Sequence, residues 1–209
     1  VISLYLGVKS ALHYEKQSDY IIRQLSLVSF SMPSFYLALL FILFFSLELG
    51  WFPIAGLHSM EPKTGVANIL DMAWHLSLPI SIMVFGGIGS LIIYVRSLTL
   101  EILKSDYYYF ALSRGLSRPK LLRLYIMPNL LPPIITLLGL SLPGLIGGSV
   151  ILESIFGIEG MGRLFFMSAL SRDYPIIMGT LMITSFLTLT GNMIADLLLL
   201  KINPYMKRG

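Results

Sequence analysis

Residues 72–95 have the sequence MAWHLSLPISIMVFGGIGSLIIYV, which contains no aspartate, glutamate, lysine or arginine over 24 residues. An α-helix rises 1.5 Å per residue, so about 20 apolar residues cross the roughly 30 Å hydrocarbon core of a bilayer. Polar and apolar residues do not alternate with a period of two along the run, as they would in a strand of a membrane barrel. The run therefore predicts a membrane-spanning α-helix.

Three further charge-free runs are long enough to cross a bilayer, at residues 24–47, 124–152 and 174–195. A helix satisfies its own backbone hydrogen bonds, which a lipid environment requires. The predicted fold class is therefore all-α, a polytopic membrane helical bundle. It is predicted as one transmembrane domain, 1–209, with spans at about 24–47, 72–95, 124–152 and 174–200.

The first eight residues, Val1–Val8, are also apolar. They extend only about 12 Å as a helix, which is too short to span. The chain has no charged start or small-residue cleavage site of the kind found in a signal peptide. We expect these residues to be the inner end of a helix that begins before Val1.

The amino-acid composition favours burial in a membrane. Hydrophobic residues make up 56% of the chain, charged residues only 12%, and the mean hydropathy is +0.80. A soluble domain has about 25% charged residues, and a disordered chain combines low hydrophobicity with high charge, so both classes are excluded. The absence of cysteine excludes a disulfide scaffold, a thiolate metal site and a cysteine nucleophile.

Lysine and arginine are concentrated in alternate loops, which predicts the orientation of the helices. Twelve of the 15 lie in segments 9–23, 96–123 and 201–209, and three lie in segments 48–71 and 153–173. Basic loops favour the cytoplasmic side. The first three segments, with a net charge of +8, are therefore predicted to be cytoplasmic, and the other two, with −3, external. Topology explains the basic pI, and no nucleic-acid partner is predicted.

Proline and glycine lie inside several predicted spans. Pro33, Pro79 and Pro143 lack the N–H that a helix uses, so each is expected to loosen the helix one turn back. Gly144, Gly147 and Gly148 follow Pro143, and Gly144 with Gly148 forms a G-x-x-x-G pair that lets helices approach closely. Two interpretations stay open: ordinary packing of a bundle, or a translocation pathway lined by helices that bend.

Asp196 is the one acidic residue at predicted membrane depth. Acids in such positions act as proton carriers or ion ligands. Asp196 also lies five residues before Lys201, so it can instead pair with that lysine or reach the interface. Both interpretations stay open.

No enzymatic site is predicted. His13, His58 and His75 are the only histidines and lie in different segments. The sequence contains no H-E-x-x-H, no G-x-S-x-G and no phosphate-binding G-x-x-x-x-G-K-[ST] motif. We therefore predict no catalytic residue, no metal site and no cofactor bound by this chain.

The segment 96–123 predicts a helical elbow on the cytoplasmic side. Ser105 or Asp106 can cap a short helix, Gly115 can end it in the left-handed conformation, and Ser117 can cap a second helix. Aromatic residues occur together here with basic ones: Tyr107, Tyr108, Tyr109 and Phe110 beside Arg114, Arg118, Lys120 and Arg123. An aromatic cluster with a basic rim is typical of a docking surface for a protein partner, and lipid-headgroup binding is the alternative.

The elbow resembles a known motif. Ala111, Gly115 four residues later and Pro128 thirteen residues after that resemble the EAA loop of ABC-importer permeases. Residues 106–117 resemble this loop in the dipeptide, oligopeptide and nickel subfamily. Similar stretches lie at 31–35, 49–53, 148–156, 160–164 and 172–175, with Asp196 and Asn203-Pro204 near the end. The resemblance extends from about residue 2 to the C-terminus.

The chain departs from the family pattern at four positions. Tyr109 stands where the motif has its leading glutamate, Phe110 occupies the second position, and Arg114 replaces an aspartate before the glycine. Glu159 stands where a proline is expected, next to a short external helix expected near 160–168. The family also has an additional span before this sequence begins, so the resemblance implies an N-terminally truncated chain.

The resemblance implies a type I ABC-importer transmembrane domain that forms half of a peptide pathway in a bacterial or archaeal inner membrane, with its C-terminus in the cytoplasm. The implied partners are a second homologous permease subunit, two cytoplasmic ABC ATPases that bind ATP and Mg²⁺, an extracytoplasmic solute-binding protein and the lipid bilayer. The implied ATPase-docking loop comprises Tyr107, Tyr108, Tyr109, Phe110, Ala111, Arg114, Gly115, Arg118 and Pro128. The implied pathway residues are Pro143, Gly144, Gly147 and Gly148.

Other transport functions remain as alternatives. A permease for nickel or another small solute fits the same residues. A channel or a secondary transporter is less favoured, because the sequence has no filter-like carbonyl loop, no internal repeat and no buried set of ion ligands.

Overall fold

The computed structural model describes residues 1–61, 63–147 and 149–202. Within these ranges all regular secondary structure is helical. Three helices are long and apolar enough to cross a membrane, or four if one interrupted pair is counted as a single span. The predicted all-α class of polytopic membrane protein is confirmed.

The helices follow one another with connections of a few residues, apart from the longer connection 49–65 before α4. They are α1 (Ile2–Leu12), α2 (Gln17–Ser31), α3 (Ser34–Phe41, continued by a π-helical segment Ile42–Glu48), α4 (Val66–Leu103), α5 (Asp106–Ser113), α6 (Arg118–Leu121, continued by a π-helical segment Leu122–Ile126), α7 (Met127–Gly147), α8 (Val150–Ile155), α9 (Met161–Ser171) and α10 (Tyr174–Ile202).

Residues 24–47 were predicted to form one continuous membrane-spanning helix, but the structure divides them between α2 and α3. α2 ends at Ser31, and Pro33 adopts an extended conformation, with φ −58° and ψ 137°, before α3 begins at Ser34. Pro33 has no N–H, and a proline ring in a helix interior clashes with the carbonyl of the preceding turn. The loosening expected at this proline is therefore a complete break, and the two helices qualify as a span only as an interrupted pair.

The run at 124–152 differs from its predicted span at both ends. The helical segment begins earlier, at Arg118, and α7 ends at Gly147. Ser149 is extended, with φ −119° and ψ 105°, and its Oγ accepts a hydrogen bond from the Leu152 N–H, so α8 is a separate capped helix. α4 is likewise longer than its charge-free run of 72–95, because a charged residue ends a hydrophobic run without ending a helix.

The structure forms two compact units, each with its own apolar core. In unit 1, made of residues 1–30, 88–142 and those from 187 onward, the core contains Val8, Val95, Ile102, Ile126, Leu130 and Ile134. In unit 2, made of residues 31–87 and 143–186, it contains Leu37, Ala38, Leu78, Ile82, Leu152 and Phe156. The long helices α4 and α10 pass through both units.

Most of the apolar surface of the long helices is not covered by the part of the chain that the structure describes. Only 28%, 22% and 17% of the most apolar stretches of the three membrane-length helices is buried. A soluble monomer rarely exposes apolar surface on this scale. The remaining surface is therefore open to lipid or to other subunits.

Candidate functional site

The predicted helical elbow is present at residues 106–121. α4 ends at Leu103, and Ser105 turns the chain with φ −78° and ψ 148° before α5 begins at Asp106. The Ser105 hydroxyl donates a hydrogen bond to the Ile102 carbonyl, at 2.6 Å, so it closes α4 and does not cap α5 with its side chain. α5 ends at Ser113, two residues before Gly115.

The turn of the elbow depends on Gly115. Its φ is +75°, in the left-handed region that L side chains rarely adopt, and its N–H donates to the Leu112 carbonyl at 3.0 Å. A Cβ placed on Gly115 would meet no atom within 4 Å, so the backbone conformation, and not the available space, requires glycine. Ser117 is extended and α6 begins at Arg118, with Pro119 in its first turn.

The aromatic residues of the elbow do not all face the same way. Tyr107, Tyr109 and Phe110 are 43%, 57% and 64% exposed. The Arg114 guanidinium lies over the Phe110 ring, 5.7 Å from its centroid. Tyr108 packs against the unit 1 core and Ala111 is fully buried, so two of the predicted docking residues serve the interior of the elbow.

Arg118 lies at the rim of an apolar groove of about 480 Å³ on unit 1. Leu12 and Leu103, from the ends of α1 and α4, line this groove together with Tyr108 of the elbow. The exposed aromatic face and the groove are therefore two different surfaces of the elbow.

Pro128, the last residue of the motif that the elbow resembles, lies inside a helical segment and does not begin one. The helical segment already runs from Arg118, and a π-helical segment at Leu122–Ile126 directly precedes α7. Proline cannot donate a backbone hydrogen bond and crowds the carbonyl four residues earlier, at Leu124. Leu124 lies within the π-helical segment, whose wider turns leave room for the proline ring. The helical segment therefore contains Pro128 without a break.

The predicted pathway residues lie at the end of α7 and just after it. Pro143, Gly144 and Gly147 are in helical backbone, and Gly148 lies outside the described residues. Their role in bending or lining a pathway stays a prediction. Asp196 is exposed on α10. Within the described residues it forms no ion pair with Lys201.

The connection 49–65, between α3 and α4, is anchored by a residue that the sequence analysis did not identify. Asp71 is 6% exposed and accepts hydrogen bonds from the Ser59 N–H at 2.7 Å, the Ser59 hydroxyl at 2.6 Å and the Lys63 ammonium at 2.5 Å. The Gly56 N–H also donates to the Phe156 carbonyl, at 2.8 Å. These bonds hold the connection against α4 and α8 within unit 2.

Glu153 anchors the second connection that the sequence predicted to be external. It is 8% exposed, and its carboxylate accepts a hydrogen bond from the Arg163 N–H in the first turn of α9, at 2.6 Å. A Cβ on Gly160 would collide with the same carboxylate. α9 therefore forms at Met161–Ser171 despite Glu159 in place of the expected proline, because a carboxylate from α8 completes its amino end.

The structure thus defines a polytopic helical membrane protein with a folded two-helix elbow between its long helices. The chain belongs to the family of binding-protein-dependent transport system inner membrane components, whose model matches residues 3–208.

Three relatives illustrate the range of the family. The chain is 37% identical over 204 residues to the oligopeptide transport system permease protein AppB of Bacillus subtilis, covering 98% of this chain and 64% of AppB. It is 33% identical to the di/tripeptide transport system permease protein DppB of Pseudomonas aeruginosa, covering 98% and 65%. It is also 33% identical to the peptide transport system permease protein SapB of Salmonella typhimurium, covering 98% and 69%. The chain thus spans about two thirds of the length of these proteins.

Proposed function

We propose that this chain is a permease subunit of an ATP-driven ABC importer and forms half of a pathway that carries peptides across the cytoplasmic membrane. The observation that carries the proposal is the folded elbow at 106–121, which occurs in a chain that matches the family over residues 3–208. ATP and Mg²⁺ bind to separate ATPase subunits, and this chain supplies no catalytic residue.

The exposed face of the elbow is the docking surface for one ATPase subunit. Tyr107, Tyr109 and Phe110 present aromatic side chains to the outside, and Arg114 is held beside Phe110. Tyrosine and arginine are enriched among the residues that dominate the affinity of protein interfaces. Lipid-headgroup binding explains a basic elbow, but it does not require three rings exposed together with a rigid left-handed turn.

The distribution of basic residues supports a cytoplasmic position for this surface, on the side where ATP is present. Segments 9–23, 96–123 and 201–209 together carry a net charge of +8. In the proposed topology the C-terminus is also cytoplasmic, and the connections anchored by Asp71 and Glu153 are external. Those external connections receive an extracytoplasmic solute-binding protein, and a second permease subunit completes the pathway.

Peptide is the substrate class that the relatives favour, because the three described above are named as peptide permeases. A permease for nickel is the alternative that fits the same residues, so nickel is the competing substrate in the test. In this design the binding protein selects the substrate, and the permease supplies a passage with few specific contacts.

The test is purification and transport with the subunits encoded beside this chain. The permease, tagged and co-expressed with the second permease subunit and the ABC ATPases of the proposed transporter, should retain both ATPases through purification. Proteoliposomes that carry the complex, with the binding protein outside, should take up labelled peptide when ATP is enclosed on the side of the ATPases. Replacing Tyr109 and Phe110 with alanine should release the ATPases, since two anchors of the docking surface are lost.

Phe166→Ala is the matched control, because Phe166 is an exposed phenylalanine of α9, at 46% exposure, outside the elbow. This variant should retain the ATPases. Equal retention of ATPases by the elbow variant and the control would refute the docking surface. ATP-independent flux of ions would identify a channel, and uptake of nickel without peptide would correct the substrate class.

A further inference from the structure

A buried ion pair joins two helices of unit 1 far apart in the sequence. Arg96 of α4 donates two hydrogen bonds to Asp19 of α2, from Nε to Oδ1 at 2.7 Å and from an Nη to Oδ2 at 2.8 Å. The two residues are 77 positions apart. Their side chains are 13% and 4% exposed, so the pair is largely withdrawn from water.

Each oxygen of the Asp19 carboxylate also accepts a second hydrogen bond. The Ser10 hydroxyl of α1 donates to Oδ1 at 2.5 Å, and the Glu15 N–H donates to Oδ2 at 3.1 Å. The Arg96 guanidinium also lies over the Tyr14 ring, 5.4 Å from its centroid. We call Ser10, Asp19 and Arg96 the clasp, since together they join α1, α2 and α4 at one carboxylate.

The backbones of the three helices are in close contact next to the clasp. A Cβ on Gly7 of α1 would lie 2.6 Å from the Val95 side chain of α4. A Cβ on Gly89 of α4 would collide with the Ser26 carbonyl of α2. The clasp therefore closes an interface that small residues already make tight, and it adds a directional bond that apolar packing lacks.

The clasp is connected to the elbow through a continuous part of α4 and through shared core residues. α4 continues without interruption from Arg96 to Leu103, about 10 Å at the rise of a helix. Val95, next to Arg96, and Ile102, next to Leu103, share one core with Val8 of α1. Tyr108 of the elbow packs against the same core. A displacement of the elbow is therefore passed to the part of α4 that carries Arg96.

We propose that Asp19 and Arg96 are positioning residues for energy coupling: the clasp makes α1 and α2 move with α4 when an ATPase displaces the elbow. This inference rests on the proposed function. A bidentate arginine–carboxylate pair fixes both distance and orientation, and in a desolvated site its loss leaves one charge without a partner. Without the clasp, α4 can respond to the elbow while α1 and α2 lag behind.

The experiment measures coupling in the whole transporter. Wild-type and Asp19→Asn permeases are reconstituted with the second permease, the ATPases and the binding protein, and peptide uptake is divided by ATP hydrolysed. We expect Asp19→Asn to hydrolyse ATP but to transport about fivefold less peptide per ATP, the lower end of typical coupling between sites. Arg96→Lys should be intermediate, because one ammonium retains the charge but cannot reproduce the two-pronged contact.

Arg23→Gln is the matched control. Arg23 borders the same cavity of about 330 Å³ as Asp19 and Arg96, but its guanidinium lies over the Tyr20 ring instead. It should leave peptide per ATP unchanged. If Asp19 had a merely structural role, its substitution would lower the yield of complex, or would lower peptide uptake and ATP hydrolysis together. The amount of peptide transported per ATP would then stay constant.

Each result has one interpretation. A ratio for Asp19→Asn equal to that of Arg23→Gln overturns the clasp as a coupling element. If Asp19→Asn does not assemble, Arg96→Lys decides, and a wild-type ratio for that variant overturns the proposal. Failure of the proposed function is distinguishable, since the wild-type complex would then show no ATP-dependent peptide uptake.

Discussion

The strongest prediction concerns the turn of the elbow at Gly115. An L-residue in the left-handed conformation costs about 1–2 kcal/mol relative to glycine. Since a Cβ at Gly115 would meet no atom within 4 Å, a substitution adds this conformational cost without a collision. Asparagine tolerates the left-handed region better than alanine, and a β-branched residue tolerates it worst. The expected order of turn stability is therefore Gly, Asn, Ala, Val.

The cost can be converted into an effect on binding. A difference of about 1–2 kcal/mol changes an equilibrium roughly 5- to 30-fold. If the elbow opens locally and only the closed turn docks, the apparent Kd rises by at most the same factor, because it is divided by the fraction of closed turn. Gly115→Ala should weaken binding of the proposed ATPase partner by up to that factor, Gly115→Asn by less, and Gly115→Val by more, with loss of ATP-driven uptake.

The assay is titration of the ATPase subunits onto the permease in nanodiscs, with membrane insertion checked for each variant. Gly179→Ala is the control, because Gly179 lies in α10, has an ordinary helical φ, and a Cβ added there would likewise meet no atom within 4 Å. It should bind ATPases like the wild type. Wild-type affinity or transport in Gly115→Val, or weaker binding by Asn than by Val, would refute the conformational explanation.

Three further predictions concern side chains that fix the connections and helices. Asp71→Asn should accelerate amide hydrogen exchange at Ser59 about fivefold, because asparagine keeps one oxygen acceptor but loses the charge that strengthens the bonds from Ser59 and Lys63. Glu153→Ala should accelerate exchange in the first turn of α9, with a loss of about 1 kcal/mol as for a helix cap. Gly139→Val should lower the thermal unfolding temperature, since a Cβ there would lie 2.5 Å from the Ala195 Cβ and overpacking costs about 1–3 kcal/mol.

Each of these three has its own comparison. For the connection at 49–65, Lys63→Gln should have a smaller effect than Asp71→Asn, and unchanged exchange in both would contradict the anchor. Gly160→Ala should resemble Glu153→Ala, because its Cβ would displace the carboxylate. The packing prediction fails if Gly139→Val is as stable as Gly179→Val, which places the same β-branched residue in open space.

The elbow shows how much of a candidate site local sequence can predict. Its two helices and the left-handed Gly115 depend on neighbouring residues, and the pattern predicted them correctly. The predicted side-chain caps are wrong, because neither Ser105 nor Ser117 makes a capping hydrogen bond through its hydroxyl. The orientation of the aromatic residues was not predictable in this way. Tyr107 and Tyr109 face outward while Tyr108 packs inward, because the unit 1 core lies on one side of α5.

Helix ends show a second limit. Charge-free runs located the membrane-length helices, since transfer into lipid depends on composition. They misplaced the ends, because a helix continues past a charged residue and stops where backbone geometry changes, as at Pro33 and Ser149. The effect of proline also depended on its surroundings: Pro33 separates two helices, whereas Pro79 lies inside α4 without interrupting it.

The sequence by itself determined the class of protein, because hydropathy and the distribution of basic residues are sums over single residues. It also determined the turn of the elbow, because the conformation of a glycine turn is local. Only the tertiary structure decided which acids matter. Asp19, Asp71 and Glu153 meet partners 77, 12 and 10 residues away, respectively. Such pairings depend on how helices pack, and no periodicity along the chain encodes them.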